Sequence, residues 1–183
     1  VYAYDLSKAA VNAMVKKGAK ASGSLKHLGG VCDVIIIMVG YDDQVRQVVS
    51  DLAKSKPKKG TVLVITATSH PDMILEAAAI AKKGGLKVVD APVCFGLGGA
   101  KDGTLASMVG GSKADVKKAT PAIACYSRAV HHLGDLGCGE IGKTVNNMLH
   151  WVHSLANQEV LLLAKCYGID VQKMRETLLQ APG

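Results

Sequence analysis

The chain has 183 residues, 49% of them hydrophobic but only 4% aromatic, with 20 glycines and a formal charge of +7. That length fits one domain, or one and part of a second, around an aliphatic α/β core. The longest apolar run, Val34–Val39, is far too short to span a bilayer, and five scattered cysteines without a C-x-x-C pair argue against a disulfide framework or structural zinc. The positive charge sits on lysines in helix-like stretches with almost no interleaved aromatics, which argues against a nucleic-acid partner and favours small anions.

Val1–Asp5 alternates loosely and ends on an acid, as a strand feeding a turn does. It opens without methionine, as a strand already under way, so a preceding segment is expected and with it any leader; the unpaired cysteines point to the reducing cytoplasm. Ser7 caps a helix through Lys17 that Gly18 stops, and Ser24–Gly30 reads as a short helix. Cys32–Val39 is a β-branched run, the mark of a strand buried on both faces. Asp42–Lys54 is an amphipathic helix with Val45, Val48, Val49 and Leu52 on one side. Thr61–Ile65 is a second buried strand, Pro71–Lys83 a helix with proline in its first turn, and Leu86–Val89 a short strand. This alternation predicts a parallel sheet covered by helices, a doubly wound nucleotide-binding architecture.

The pattern then changes. Ala91–Gly103 reads as a glycine-rich loop, and Thr104–Val109 and Arg128–Leu133 as strands around a helix, Lys113–Ala124, that Pro121 interrupts or shortens. From Glu140 to Tyr167 no breaker occurs and apolar residues keep helical spacing, which predicts one long helix closed by Gly168; Asp170 caps another through Leu179. His150 and His153 on the long helix read as surface or interface residues, since two ligands rarely make a metal site. The composition shift near Gly134–Gly139 places a domain boundary there.

The segment Gly137-Cys138-Gly139-Glu140-Ile141-Gly142-Lys143-Thr144, followed by Val145-Asn146-Asn147, satisfies three patterns. As G-x-x-x-x-G-K-[ST] it matches a phosphate-binding P-loop, and as G-x-G-x-x-G a dinucleotide fingerprint. Both require further parallel strands after the motif, and the remaining residues look helical. The third pattern is a glycine turn opening a helix on which Lys143 and Asn147, four apart, share a face near the positive helix start.

Distant stretches support the third pattern: Cys32–Val39, Thr66–Pro71, Asp90-Ala91-Pro92-Val93 with Gly103–Gly111, and Gly139–Asn147. On these motifs the chain resembles the 3-hydroxyacid (β-hydroxyacid) dehydrogenase family, of the 3-hydroxyisobutyrate dehydrogenase and tartronate semialdehyde reductase type. The resemblance implies that residues 1–136 form part of an NAD-binding, Rossmann-like α/β domain whose first strand and glycine loop are absent. Residues 137–183 would begin an all-α domain.

The resemblance further implies an oxidoreductase that interconverts a small 3-hydroxy acid and its semialdehyde or keto form. Lys143 would be the general acid/base and Asn147 would orient the substrate oxygen, with Asn146 lining the site or bracing the lysine. Cys94, Phe95 and Gly96 stand where the family reads Ser-Gly-Gly and contacts the substrate carboxylate. Cys94 is a poorer hydrogen-bond donor than serine. Phe95 either meets substrate or anchors the loop on the core. For the cofactor, Asp5 ends a strand where an acid would hold the ribose hydroxyls, and Leu6 follows it rather than an arginine, favouring NAD over NADP. Val39, Gly40, Gln44 and Thr68 complete the implied cofactor side. The expected partners are a small anionic hydroxy acid and further copies of the chain, with no membrane, nucleic acid or metal. A non-catalytic binding or oligomerisation module is the alternative, and a P-loop hydrolase a remote one.

Overall fold

The computed structural model describes residues 1–181. The chain divides into two compact units, Val1–Lys143 and the residues from Thr144 onward. The division falls inside the long helix rather than at its start, because the first turns of that helix are tied into the first unit.

The first unit opens with β1 (Tyr2–Ala3), α1 (Lys8–Val15), β2 (Lys20–Ala21) and α2 (Leu25–Val31). Ser7 and Ser24 cap the two helices through their side chains, accepting from the amides of Ala10 and His27. β1 and β2 pair in parallel as a separate two-stranded sheet. Then follow β3 (Val34–Ile37), α3 (Asp42–Lys54), β4 (Val62–Ile65), α4 (Pro71–Lys83) and β5 (Lys87–Asp90). β3, β4 and β5 are parallel neighbours. One face carries a core of Ile35, Ile37, Leu63 and Ile65 against Val45, Val49 and Leu52 of α3 and Ile74 and Ala77 of α4. Pro71 stands at the first helical position of α4, where its missing N–H is not needed.

Three expectations are corrected here. β3 is not buried on both faces: Ile36 is 42% and Met38 67% exposed, because α1 packs on β1 and β2 and leaves that face of β3 bare. The stretch after Asp90 is not a plain loop. It holds β6 (Val93–Cys94) and α5 (Gly96–Asp102), since the chain bends at Pro92 and resumes pairing. Pro121 does not break α6 (Lys113–Ile123), because it lies in the last turn, close to where the helix ends in any case.

β7 (Leu105–Gly110) organises this end of the sheet. β5 and then β6 run antiparallel along one of its edges, and β8 (Ser127–Gly134) runs parallel along the other. On the opposite sheet face, Val62, Val64, Val89 and Val109 pack against Val116, Ala119 and Ile123 of α6. Helices on both faces make the sheet doubly wound.

The long helix is α7 (Cys138–Cys166), and α8 (Val171–Leu178) follows. Within the second unit Gly168 closes α7 with φ of +76°, and the Asp170 side chain caps α8 by accepting from the Lys173 amide.

Candidate active site

The centre of the site is a carboxylate that caps a helix from another element. Asp90 ends β5 and is fully buried. Its Oδ1 accepts from the Gly137 amide at 2.8 Å and its Oδ2 from the Glu140 amide at 2.9 Å. These donors are orphan amides at the start of α7, which elsewhere a local Ser or Asp would satisfy. Burial pushes the Asp90 carboxyl above its usual range, and the backbone amides pull it back.

The glycines make this approach possible. Gly137 has φ of +92°, a conformation that disfavours side chains. A Cβ on Gly139 would stand 2.5 Å from the Met108 carbonyl oxygen and 2.7 Å from Asp90 Oδ2. Gly139→Ala is therefore expected to destabilise the first unit by about 2 kcal/mol or more, read as a lower urea midpoint; an unchanged midpoint would refute the close packing.

Lys143 lies in the second turn of α7. Its Nζ donates to the Val93 carbonyl at 2.8 Å and approaches Cys94 Sγ at 3.6 Å. The helix thus reaches β6, the strand after the Pro92 bend. Phe95 follows with φ of +82°, costly for a residue with a side chain, and Gly96 continues at +56°. Phe95 does not anchor the loop on the core. It is 57% exposed, and the Arg128 guanidinium of β8 lies 4.5 Å from its ring centroid. Asn146 and Asn147 stand one turn beyond Lys143 on α7, Asn147 half-buried and Asn146 exposed.

Glu140 is a site residue that the motif alone does not single out. It is fully buried, and neither carboxyl oxygen has a hydrogen-bond partner within the described protein. The Ser69 amide approaches it without full hydrogen-bond geometry. Desolvation, reinforced by the Asp90 and Asp42 charges and opposed by Ser69 and Lys143, pushes its pKa from 4.5 up to about 8. Glu140 is thus neutral in the folded protein where an unfolded chain ionises it. Unfolding releases a proton across that window, so stability is full below about pH 4.5 and falls until about pH 8. Glu140→Gln should flatten this slope and leave the variant about 4 kcal/mol more stable, relative to acid pH, than the parent at pH 8. Equal slopes in denaturation series at pH 5, 6.5 and 8 would refute it.

The residues expected on the cofactor side divide. Asp5, Leu6, Val39 and Gln44 line one groove of about 570 Å³ that runs along the bare edge of β3, with Leu25, Leu28 and Ile35 among its apolar walls. Asp5 Oδ1 accepts from the Ser7 amide at 2.7 Å, which fixes the carboxylate at the groove. Gln44 Oε1 accepts from the Gly40 amide at 2.8 Å and shapes the turn after β3. Thr68 is exposed beyond the end of β4 and is not part of the groove lining.

Comparison with known proteins bears directly on this arrangement. Residues 1–134 match the family described as the NAD binding domain of 6-phosphogluconate dehydrogenase. The chain is 34% identical over its whole length to 2-(hydroxymethyl)glutarate dehydrogenase of Eubacterium barkeri, and 32% identical over 98% of its length to NAD-dependent L-serine dehydrogenase of Pseudomonas aeruginosa. It belongs to the NAD-binding 3-hydroxyacid dehydrogenase family. The solved 3-hydroxyisobutyrate dehydrogenase of Mycobacterium tuberculosis, described with L-serine, superposes on all of the chain with a TM-score of 0.91 at 27% identity. The chain spans about three fifths of these relatives: 62% and 61% of the two enzymes and 62% of the solved structure.

In this chain the glycine segment has a packing role. The Gly137 and Glu140 amides, which a P-loop would offer to phosphate, already serve Asp90. Among the described residues no strand follows α7, so neither phosphate-binding pattern finds its context. The residues present fit one end of a dinucleotide: Asp5 suits a ribose diol. The residues that line the groove include no glycine.

Among the described residues no helix is long and apolar enough to cross a membrane.

Proposed function

We propose that the protein containing this chain is an NAD-dependent oxidoreductase that interconverts a small 3-hydroxy acid and its semialdehyde, with Lys143 as general acid/base. The observation that carries the reading is the setting of Lys143. Its Nζ is held by a backbone carbonyl, beside the Asp90–Cys94 turn, and pairs with no carboxylate among the described residues. A lysine so held is not committed to a neighbouring carboxylate and can meet a substrate oxygen. In oxidation Nζ takes the substrate hydroxyl proton while the carbon gives up hydride, and in reduction the same group returns the proton. NAD, when bound, supplies the hydride acceptor. Asn147, one turn on, orients the reacting oxygen, Asn146 lines the site, and the Cys94–Gly96 turn meets the carboxylate.

Asp5 without an adjacent arginine supports NAD over NADP. Exposed apolar residues along α7, among them Trp151, Leu155 and Leu162, support self-association of the whole protein. We propose the cytoplasm as its compartment; the Drosophila melanogaster relative, 26% identical, is described as mitochondrial.

The direct test is NADH consumption by the full-length protein with malonate semialdehyde, and NAD reduction with 3-hydroxypropionate. Turnover in either direction is the expected result. Its absence with a panel of short 3-oxo and 3-hydroxy acids would sink the assignment and favour a non-catalytic binding module, a reading that the Cys94-Phe95 departure from Ser-Gly and the formal charge of +7 support.

A further inference from the structure

The turn that departs from the family pattern holds a second cation. Arg128 sits at an irregularity in the β7–β8 ladder, where the register passes from Leu105–Ser127 to Ala106–Ala129 and leaves Arg128 as an extra residue. Such bulges re-aim a side chain and recur beside active sites. Ser127 points to the α6 side, where its Oγ lies 2.7 Å from Ser107 Oγ. Ala106 and Cys94 are register partners, so they share the other face, and there Lys143 reaches Cys94 Sγ. Arg128 crosses to that turn and lies over the Phe95 ring.

Lys143 and Arg128 therefore flank two consecutive residues, Cys94 and Phe95. Neither cation is paired with a carboxylate among the described residues. A cation–π contact uses none of the guanidinium N–H groups as hydrogen bonds to an acceptor, and their fork matches a carboxylate. Phe95 holds a strained left-handed backbone to put its ring there, at a position where glycine would be unstrained. In the proposed function the Cys94–Gly96 turn meets one carboxylate, and the unpaired Arg128 guanidinium beside that turn suits a second anionic end.

We infer that Arg128, held by Phe95, is a specificity-determining residue that selects substrates carrying a second carboxylate, so that the site takes dicarboxylic rather than monocarboxylic hydroxy acids. The inference rests on the proposed function, in that Lys143 marks the reacting end. Removing Arg128 costs binding only to the second carboxylate, whereas removing Lys143 affects every substrate.

The test is calorimetric binding of glutarate and of butyrate to the chain, with Arg128→Met, Phe95→Ser and Lys143→Met as variants and circular dichroism as the check on folding. Glutarate is expected to bind at least roughly 10-fold more tightly than butyrate, as a charge-assisted hydrogen bond gives. Arg128→Met should abolish that difference, Phe95→Ser should reduce it, and Lys143→Met should weaken both ligands. Equal binding of the two acids, with both sensitive to Lys143→Met, overturns the role of Arg128 and leaves the Lys143 site intact. No binding of either acid, or binding insensitive to Lys143→Met, overturns the site reading itself. In the full-length protein, 2-(hydroxymethyl)succinate should likewise be preferred over 3-hydroxypropionate, and Arg128→Met should abolish the preference.

Discussion

Lys143→Met is expected to lower kcat/KM of the full-length protein by roughly 1000-fold, the scale of a lost general acid/base, while changing stability little. The two effects separate because of where the amine sits. Its methylene stem lies half-buried against the turn, and methionine fills the same space. The lost hydrogen bond to the Val93 carbonyl is worth only about 1 kcal/mol, since part-exposed oxygen regains water. The proton transfer has no carboxylate substitute: Asp90 is committed to amides, and Glu140 is buried and neutral. The measurement is steady-state kinetics in both directions beside a thermal melt. Turnover within about threefold of the parent would remove Lys143 from the mechanism. A collapse of stability with the loss of activity would make it a structural residue instead.

Asp90→Ala should cost about 3–5 kcal/mol of stability, the range for stripping a buried charge from its partners. The carboxylate satisfies the amides of Gly137 and Glu140 in a site from which solvent is absent, so alanine leaves both donors buried and unpaired. Asp90→Asn should cost less, because one oxygen still accepts while the new amide group faces a donor. In urea denaturation the order parent, asparagine, alanine is expected. Activity should fall in the same order, because the turns that Asp90 fixes carry Lys143. An alanine variant within about 1 kcal/mol of the parent would reduce Asp90 to an ordinary helix cap and detach it from the placement of the lysine.

Much of this site is local chemistry, and local chemistry is legible in a sequence. Ser7, Ser24 and Asp170 cap the helices they precede, and Gly168 ends α7, because caps act within four residues of themselves. The helices Asp42–Lys54 and Pro71–Lys83 follow from apolar spacing and their end signals. The glycine-rich turn, the long helix behind it and the 3-hydroxyacid dehydrogenase family follow from motifs that hold their order along the chain.

Other features depend on which distant segments meet. No spacing rule joins Asp90 to Gly137 and Glu140, about fifty positions away, yet that contact explains why a G-x-G-x-x-G here packs against a carboxylate rather than a phosphate. Glu140 looks like an ordinary acid at the start of a helix until burial removes its water and leaves it protonated. β6 is too short for any periodicity to mark it and exists because β7 offers an edge. No local pattern separates a core from an exposed place for Phe95, whose ring meets the Arg128 guanidinium of a distant strand. The run Val34–Ile37 predicts a strand correctly but not its bare face, since what covers a strand is decided by where the neighbouring helix packs. Sequence by itself determined the longer helices, their caps and the family, because those rest on interactions a few residues long and on motifs in order along the chain. Tertiary structure alone decided which buried charges are paired, which is the property that sets their chemistry.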